Sequence, residues 1–315
     1  MKFHLNFTPA SCGFKINHNN RLFLIGSCFS DHMGQLLQAH KFQTTVNPNG
    51  VLFNPRSIQK AITQAINSEA PSPDALIEHD EHVFSYLHHS KIKAKHKDEL
   101  LLIIKQLNAA NLEALKNSDF LFITLGSAYH YYHSGLMSTV ANCHKQNQTL
   151  FEKQLMLPQE IVNDYKLMID ALKQINPKLH VIFTVSPVKH LKDGVVENNL
   201  SKASLLLAAH QLVKEYQHCH YFPAYELVND DLRDYRFYKA DLAHPSQQAV
   251  DYVWQKFSDC FFDENTKKIN HEIQKLNTYL NHNSLHANEN SDHKHTAYIA
   301  KQKSLIQQLN PVIQF

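Results

Sequence analysis

RLFLIGSCFSDHMG, residues 21–34, contains the junction on which the fold turns. Leu22 to Ile25 form an unbroken apolar run. Such a run suits a strand covered on both faces, because a strand with one wet face alternates instead. Gly26 breaks the run, and from Cys28 the spacing becomes helical, in CFSDHMGQLLQAHKF. Serine at such a boundary is a favoured N-cap, since its hydroxyl can accept from the N–H groups of the first turn. Strand, Gly-Ser and helix together predict the opening βα unit of a parallel sheet.

Four further apolar runs, rich in β-branched and aromatic residues, lie between stretches of helical periodicity: KFQTTVNP (41–48), DFLFITLGS (119–127), LHVIFTVSPV (179–188) and CHYFPAYE (219–226). Runs of this kind, joined by helical crossovers, predict an α/β chain with a three-layer α/β/α sandwich around a five-stranded parallel sheet. No internal repeat is seen. One domain over residues 1–261 is expected, followed by a helical appendage, 262–315, packed on it. The polar tract NHNSLHANENSDHKH (281–295) reads as a surface loop within that appendage.

At 315 residues and 43% hydrophobic content the chain can bury a full core. Lys and Arg total 31 against 29 Asp and Glu, a formal charge of +2, which supplies no field for nucleic acid or an anionic membrane. The 23 histidines are scattered along the chain. Cys12, Cys28, Cys143, Cys219 and Cys260 are odd in number and widely spaced, without a C-x-x-C pair, which argues against a disulfide framework or a zinc ribbon. Reduced thiols, an N-terminus without an apolar leader and the lack of a run near ~20 apolar residues predict a cytoplasmic protein.

Ligands of open parallel sheets bind beyond the carboxyl ends of the strands, which directs attention to the residues after each run. They are Gly26-Ser27-Cys28, Asn47-Pro48-Asn49-Gly50, Gly126-Ser127-Ala128-Tyr129 and Ser186-Pro187, with a longer polar path to DLAHPSQQAVDYVW (241–254). Ser27 at a helix N-terminus faces N–H groups that favour developing negative charge; on position alone it reads more readily as a plain N-cap. Asp241 stands three residues before His244, so both can share one face of a helical turn. Asp241 then accepts from one ring nitrogen while the other deprotonates a hydroxyl. Pro245 biases His244 away from helix and is itself at home in the first turn of the helical stretch SQQAVDYVWQKF.

These stretches resemble the GSCFA family, a branch of the SGNH/GDSL hydrolases, with Ser30 where the family's name has alanine. NPNGVLFNPRSI (47–58), TLGSAYHY (124–131), VANCHK (140–145), FTVSPVKHLKDG (183–194) and YFPAYELVNDDLRDYRFYKADLAHPS (221–246) are similar to it as well. The resemblance implies a flavodoxin-like SGNH fold, Ser27 as nucleophile, and Asp241 and His244 as its acid-base pair. One departure stands out. Where the wider superfamily has a Gly-x-Asn-Asp whose Asn donates to the oxyanion, this chain reads Gly126-Ser127-Ala128-Tyr129. Remaining candidates are the backbone N–H groups of Ser27 and Gly50 and the side chains of Asn49, Tyr129 and Asn142.

Other residues have competing readings. His88-His89 and EHDEH (78–82) offer metal-ligand side chains, yet a mixed acidic-histidine run is more often solvated. Cys28 at a helix N-terminus is a rival nucleophile. Tyr129, Tyr131 and Tyr132 suggest either a sugar-stacking wall or packing. The expected activity is hydrolysis of O-acyl esters on a small molecule or a carbohydrate, with no metal and no cofactor. An acyltransferase using the same triad and a binding module that keeps only the shell are the alternatives.

Overall fold

The computed structural model describes residues 5–69, 72–283 and 292–315. The chain opens with β1 (Arg21–Gly26), α1 (Cys28–Ala39), β2 (Gln43–Val46) and α2 (Pro55–Asn67), then the short strands β3 (Leu76–His79), β4 (His82–Ser85) and β5 (Lys93–Ala94). Next come α3 (Lys97–Asn117), β6 (Phe120–Leu125), β7 (Tyr129–His133), β8 (Ser138–Val140), β9 (Phe151–Leu155), α4 (Pro158–Ile175) and β10 (His180–Val185). It closes with α5 (Val195–Glu215), β11 (Cys219–Tyr221), the single turn α6 (Ala224–Glu226), α7 (Gln247–Phe261), α8 (Glu264–Asn283) and α9 (Asp292–Leu309).

The central sheet is parallel throughout, in the order β11-β10-β6-β1-β2. Numbered among themselves these five strands run 2-1-3-4-5, the flavodoxin-like order. β1 lies between β2, with Arg21 opposite Gln43, and β6, with Gly26 opposite Thr124. Each continuous apolar run divides into two alternating sets, because successive strand side chains point to opposite faces. Phe23, Ile25, Leu121, Ile123, Val181 and Phe183 meet α2, α4 and α5 on one face. On the other, Leu22, Leu24, Phe120, Phe122 and Ile182 meet α1 and α7. Full burial of each such side chain contributes roughly 1.5–3 kcal/mol, so both faces must be covered for the sheet to persist.

Two expected strands are shorter than their apolar runs. Lys41 and Asn47 both adopt left-handed φ, 66° and 40°, which confines β2 to the residues between them. In CHYFPAYE the strand ends at Tyr221; Pro223 cannot donate to a ladder, and Ala224–Glu226 turn into helix. Two antiparallel sheets not foreseen from the sequence, β3-β4-β5 and β8-β7-β9, are tied together where Tyr86 O accepts from Ala141 N–H at 2.7 Å.

α8 and α9 share an apolar cluster of Ile269, Ile273, Leu276 and Ile306, closed by Ile313. Asn277 Nδ2 donates to Ala39 O at 2.9 Å, which docks α8 on the end of α1. The tract expected as a surface loop is helical at 281–283 and 292–295, while 284–291 lie outside the described residues. Residues 1–4, part of the segment read for a leader, lie outside them too. Among the described residues no helix is long and apolar enough to cross a membrane.

Gly26 is the tightest point of the sheet. At φ +140°, a Cβ on this residue would lie 2.2 Å from Thr124 O, so any side chain meets both backbone strain and a collision with the neighbouring strand. Gly26→Ala is expected to lower the unfolding free energy by about 3 kcal/mol or more, measured by urea denaturation. A loss below about 1 kcal/mol would show that β1 and β6 can separate to admit a methyl group.

Candidate active site

Ser27 is buried and caps α1 with φ −68° and ψ 174°. Its Oγ accepts from Phe29 N–H at 3.3 Å, so in this bond the hydroxyl's own proton is not committed. Its N–H donates to Thr124 O at 3.1 Å, and behind it Ser30 Oγ donates to Thr124 Oγ1 at 2.7 Å. The far side of the junction is held by Asn47. Its Oδ1 accepts from Gly26 N–H at 2.8 Å; its Nδ2 donates to Asp31 Oδ1 at 2.6 Å and reaches Ser27 O at 3.5 Å. One buried amide thus joins the end of β1, the first turn of α1 and the loop after β2.

Asp241 and His244 meet directly, His244 Nδ1 lying 2.7 Å from Asp241 Oδ2. The turn is not helical as expected: Leu242 adopts φ 56°, and the reversal brings the N–H groups of Ala243 and His244 onto Asp241 Oδ1 at 2.9 Å each. The two backbone N–H donors and the ring N–H hold the Asp241 carboxyl down at about 2. With Nδ1–H donated to the carboxylate, Nε2 of the neutral ring is left as the acceptor. Lys189 N–H donates to Ala243 O at 3.0 Å, which docks the turn on the segment after β10, and Ser246 then caps α7.

Ser27 and His244 are not hydrogen-bonded to each other, but the elements bearing them converge. Burial lowers the pKa of His32 in α1 and brings that of His190, after β10, to about 4, and the charge of His244 contributes to both. α1 packs against α7, the helix that follows His244, in the cluster that holds Phe29, Met33, Val253 and Phe257.

Of the donors considered for the oxyanion, the Ser27 N–H is engaged by Thr124 O, and the other four have the following surroundings. Gly50, at φ 75°, donates its N–H to Asn47 O at 2.8 Å, so a turn engages that donor. Asn49 is buried, and its Oδ1 accepts from Asn111 Nδ2 at 2.9 Å. Tyr129 opens β7 with its ring under Lys153 Nζ, 4.3 Å from the centroid. Asn142 uses Oδ1 to accept from His144 N–H at 2.8 Å and borders a cleft of about 620 Å³. Ala128 is fully buried, its N–H donated to Ser201 Oγ at 2.8 Å.

A residue without an evident role in the sequence lies beneath the site. Lys202 in α5 is 1% exposed, and its Nζ donates to Gly126 O at 2.6 Å and Ser186 O at 2.8 Å. It joins the segments leaving β6 and β10, and burial pulls its pKa down to about 7. Its only signal in the sequence is a lysine directly before the apolar helical stretch ASLLLAAHQLV. Cys28, half-buried beside Ser27, is a poor thiolate: burial pushes its pKa up, and the Asp31 charge adds to the effect. His88 is buried, with Nδ1 3.0 Å from Ser85 Oγ, while EHDEH forms the β3–β4 hairpin. Among the described residues no group of three His, Cys, Asp or Glu is gathered to hold a metal ion.

The GSCFA family model matches residues 21–257. No curated relative matches by sequence. Among solved structures, similar chains include a carbohydrate esterase family 3 protein from Talaromyces cellulolyticus, at 9% identity and TM-score 0.36, over 76% of this chain and 95% of that one. A Clostridium thermocellum family 3 carbohydrate esterase is similar at 8% identity and TM-score 0.35, over 76% and 94%. An acetyl xylan esterase from Butyrivibrio proteoclasticus is similar at 8% identity and TM-score 0.39, over 77% and 63%.

Lys202 gives the fold a pH signature. Its folded pKa, about 7, lies below the ordinary 10.5, so between these values the unfolded chain holds a proton that the folded chain does not. Stability therefore rises with pH across that window and is flat below it. The difference in urea unfolding free energy between wild type and Lys202→Met should grow in favour of wild type from pH 7 toward 10.5. A difference independent of pH would contradict the depressed pKa.

Proposed function

We propose that this chain, which belongs to the GSCFA family, is a serine hydrolase of ester bonds, with Ser27 as nucleophile, His244 as base and Asp241 as the orienting carboxylate. The observation that carries this reading is the 2.7 Å contact between His244 Nδ1 and an Asp241 held anionic, on a turn docked beside the segment after β10. An N-cap serine alone would be ordinary. An N-cap serine that an oriented imidazole can reach has what a nucleophile and its base require, which supports the assignment.

In this mechanism His244 Nε2 removes the Ser27 proton as Oγ attacks the ester carbonyl carbon. The Ser27–His244 hydrogen bond forms in the substrate complex, since catalytic hydrogen bonds often tighten only there. The imidazolium, stabilised by Asp241, then protonates the departing alcohol. Water, deprotonated by the same ring, attacks the acyl-enzyme and releases a carboxylic acid and free Ser27. Negative charge on the tetrahedral oxygen falls near the N-terminus of α1, where N–H groups favour it. Asn142 is the side-chain donor we assign to it: Oδ1 is engaged within its own loop, leaving the NH₂ group to serve the cleft. Phe53, Tyr131 and Phe151 on the cleft walls supply flat apolar faces of the kind on which sugar rings stack, which supports an O-acyl carbohydrate as the substrate.

The test is a mutant cycle on hydrolysis of p-nitrophenyl acetate. Ser27→Ala and His244→Ala should each lower kcat by about 10³ or more, and the double variant should be no worse than the poorer single one, because the two residues act in one proton transfer. Multiplicative losses, or a fully active Ser27→Ala, would refute the assignment. Asp241 stays anionic until about pH 2, so a fall in rate above that pH reports protonation of the imidazole and not of the carboxylate. Asp241→Asn should also be severely impaired at pH 7, because it keeps the shape and removes the charge that selects the ring tautomer.

A further inference from the structure

The cleft beside Ser27 carries a charge pattern that ester hydrolysis does not require. Its connection to the site runs through Phe53: a Cβ on Gly126 would lie 2.8 Å from Phe53 Cβ and 3.2 Å from Ser27 Cβ, so both side chains lie against one glycine. From Phe53 the cleft extends past Tyr131 and Phe151 to Lys145, Lys153 and Lys192. Three lysines there face a single carboxylate, Asp193, in a chain whose overall formal charge is only +2.

The three lysines are not equivalent. Lys153 is ion-paired with Asp193 and lies over the Tyr129 ring, a stack that fixes its position. Lys145 and Lys192 are exposed and have no carboxylate partner among the described residues. Lys145 follows His144 in a left-handed turn, φ 46° and 58°, whose imidazole is tied to Ser85 O at 2.8 Å, so the ammonium is offered from a fixed backbone. Lys192 lies in the single turn Leu191–Asp193 directly after His190, whose ring lies against Phe53 with centroids 5.5 Å apart. Two unpaired cations thus border a space already walled by aromatic rings and by the amides of Asn142 and Gln146. A neutral sugar would use the rings and amides and leave both ammonium groups unused. A sugar bearing an anion uses all three.

Resting on the hydrolase reading, we infer that the cleft is a subsite for an anionic sugar, so that the ester cleaved at Ser27 is carried on a carbohydrate bearing a carboxylate or a phosphate, held by Lys145 and Lys192. Aromatic faces and amides bind the ring, and the two lysines select its charge. Lys153, neutralised by Asp193, shapes the wall.

Calorimetric titration tests this on the full chain with three sugars that carry no ester, so that binding is read apart from the Ser27 chemistry: tetragalacturonate, maltotetraose phosphorylated at O6, and neutral maltotetraose. At least one anionic sugar should bind about tenfold tighter than maltotetraose at low salt and lose that advantage as ionic strength rises. The sugar that prevails identifies the anion as carboxylate or phosphate. The variant carrying both Lys145→Gln and Lys192→Gln should bind the preferred sugar about fivefold to tenfold more weakly, with affinity for maltotetraose changed less than about twofold. Equal affinities for all three sugars, binding of none, or a double variant that keeps the wild-type preference would overturn the inference. Loss of the Ser27–His244 coupling in the mutant cycle would refute the hydrolase while leaving this titration intact, so the two failures are distinguishable.

Discussion

A single buried amide, that of Asn47, fastens the end of β1 to the first turn of α1, and the placement of Ser27 depends on it. Gly26 leaves the sheet at φ +140°, a conformation in which its N–H finds no strand partner on the β2 side; Asn47 Oδ1 accepts that proton at 2.8 Å. The same side chain then donates to Asp31 at 2.6 Å, one turn into the helix. A buried polar group left unsatisfied costs about 1–3 kcal/mol, so this network either closes completely or works against the fold. Because it closes, the serine hydroxyl emerges from a rigid corner between a strand and a helix N-terminus.

A second polar device works from the opposite side of the sheet. The Lys202 ammonium joins the carbonyls of Gly126 and Ser186, the residues at which β6 and β10 give way to the loops around the site. Asn47 controls where Ser27 stands, and Lys202 ties together the loops that follow β6 and β10. The Asp241–His244 turn then adds the one exposed part of the arrangement, its side chains 49% and 42% accessible, on a loop held to the chain after β10 by a backbone hydrogen bond. A rigid floor and an accessible imidazole fit the proposed role of His244, in which the ring would carry protons between the buried Ser27 hydroxyl and solvent.

The parts legible in the sequence are those whose physics is local. RLFLIG, DFLFITLG and LHVIFTV read as strands because three or four consecutive apolar residues need a dry face on each side, and β1, β6 and β10 are indeed the three central strands. The D-x-x-H contact was legible from spacing alone, although its turn was not: an aspartate accepting two backbone N–H groups can hold a left-handed leucine that helical periodicity does not foresee. YHYYH, by contrast, gave no strand signal, since its aromatic and imidazole side chains fit neither a dry run nor a clean alternation; β7 forms because β8 and β9 pair with it. Asn47 and Lys202 stayed hidden because their partners lie between 16 and 76 residues away. Such contacts exist only once the sheet has assembled.

Activation of Ser27 by His244 is tested most sharply by the position of a covalent adduct. The protein would be treated with a fluorophosphonate and digested, and the modified peptide mapped by mass spectrometry. One adduct is expected, on Ser27, and it should be lost when His244 is replaced by alanine. An adduct on Cys28 or another residue, or undiminished labelling of Ser27 in the His244→Ala protein, would contradict the proposed triad.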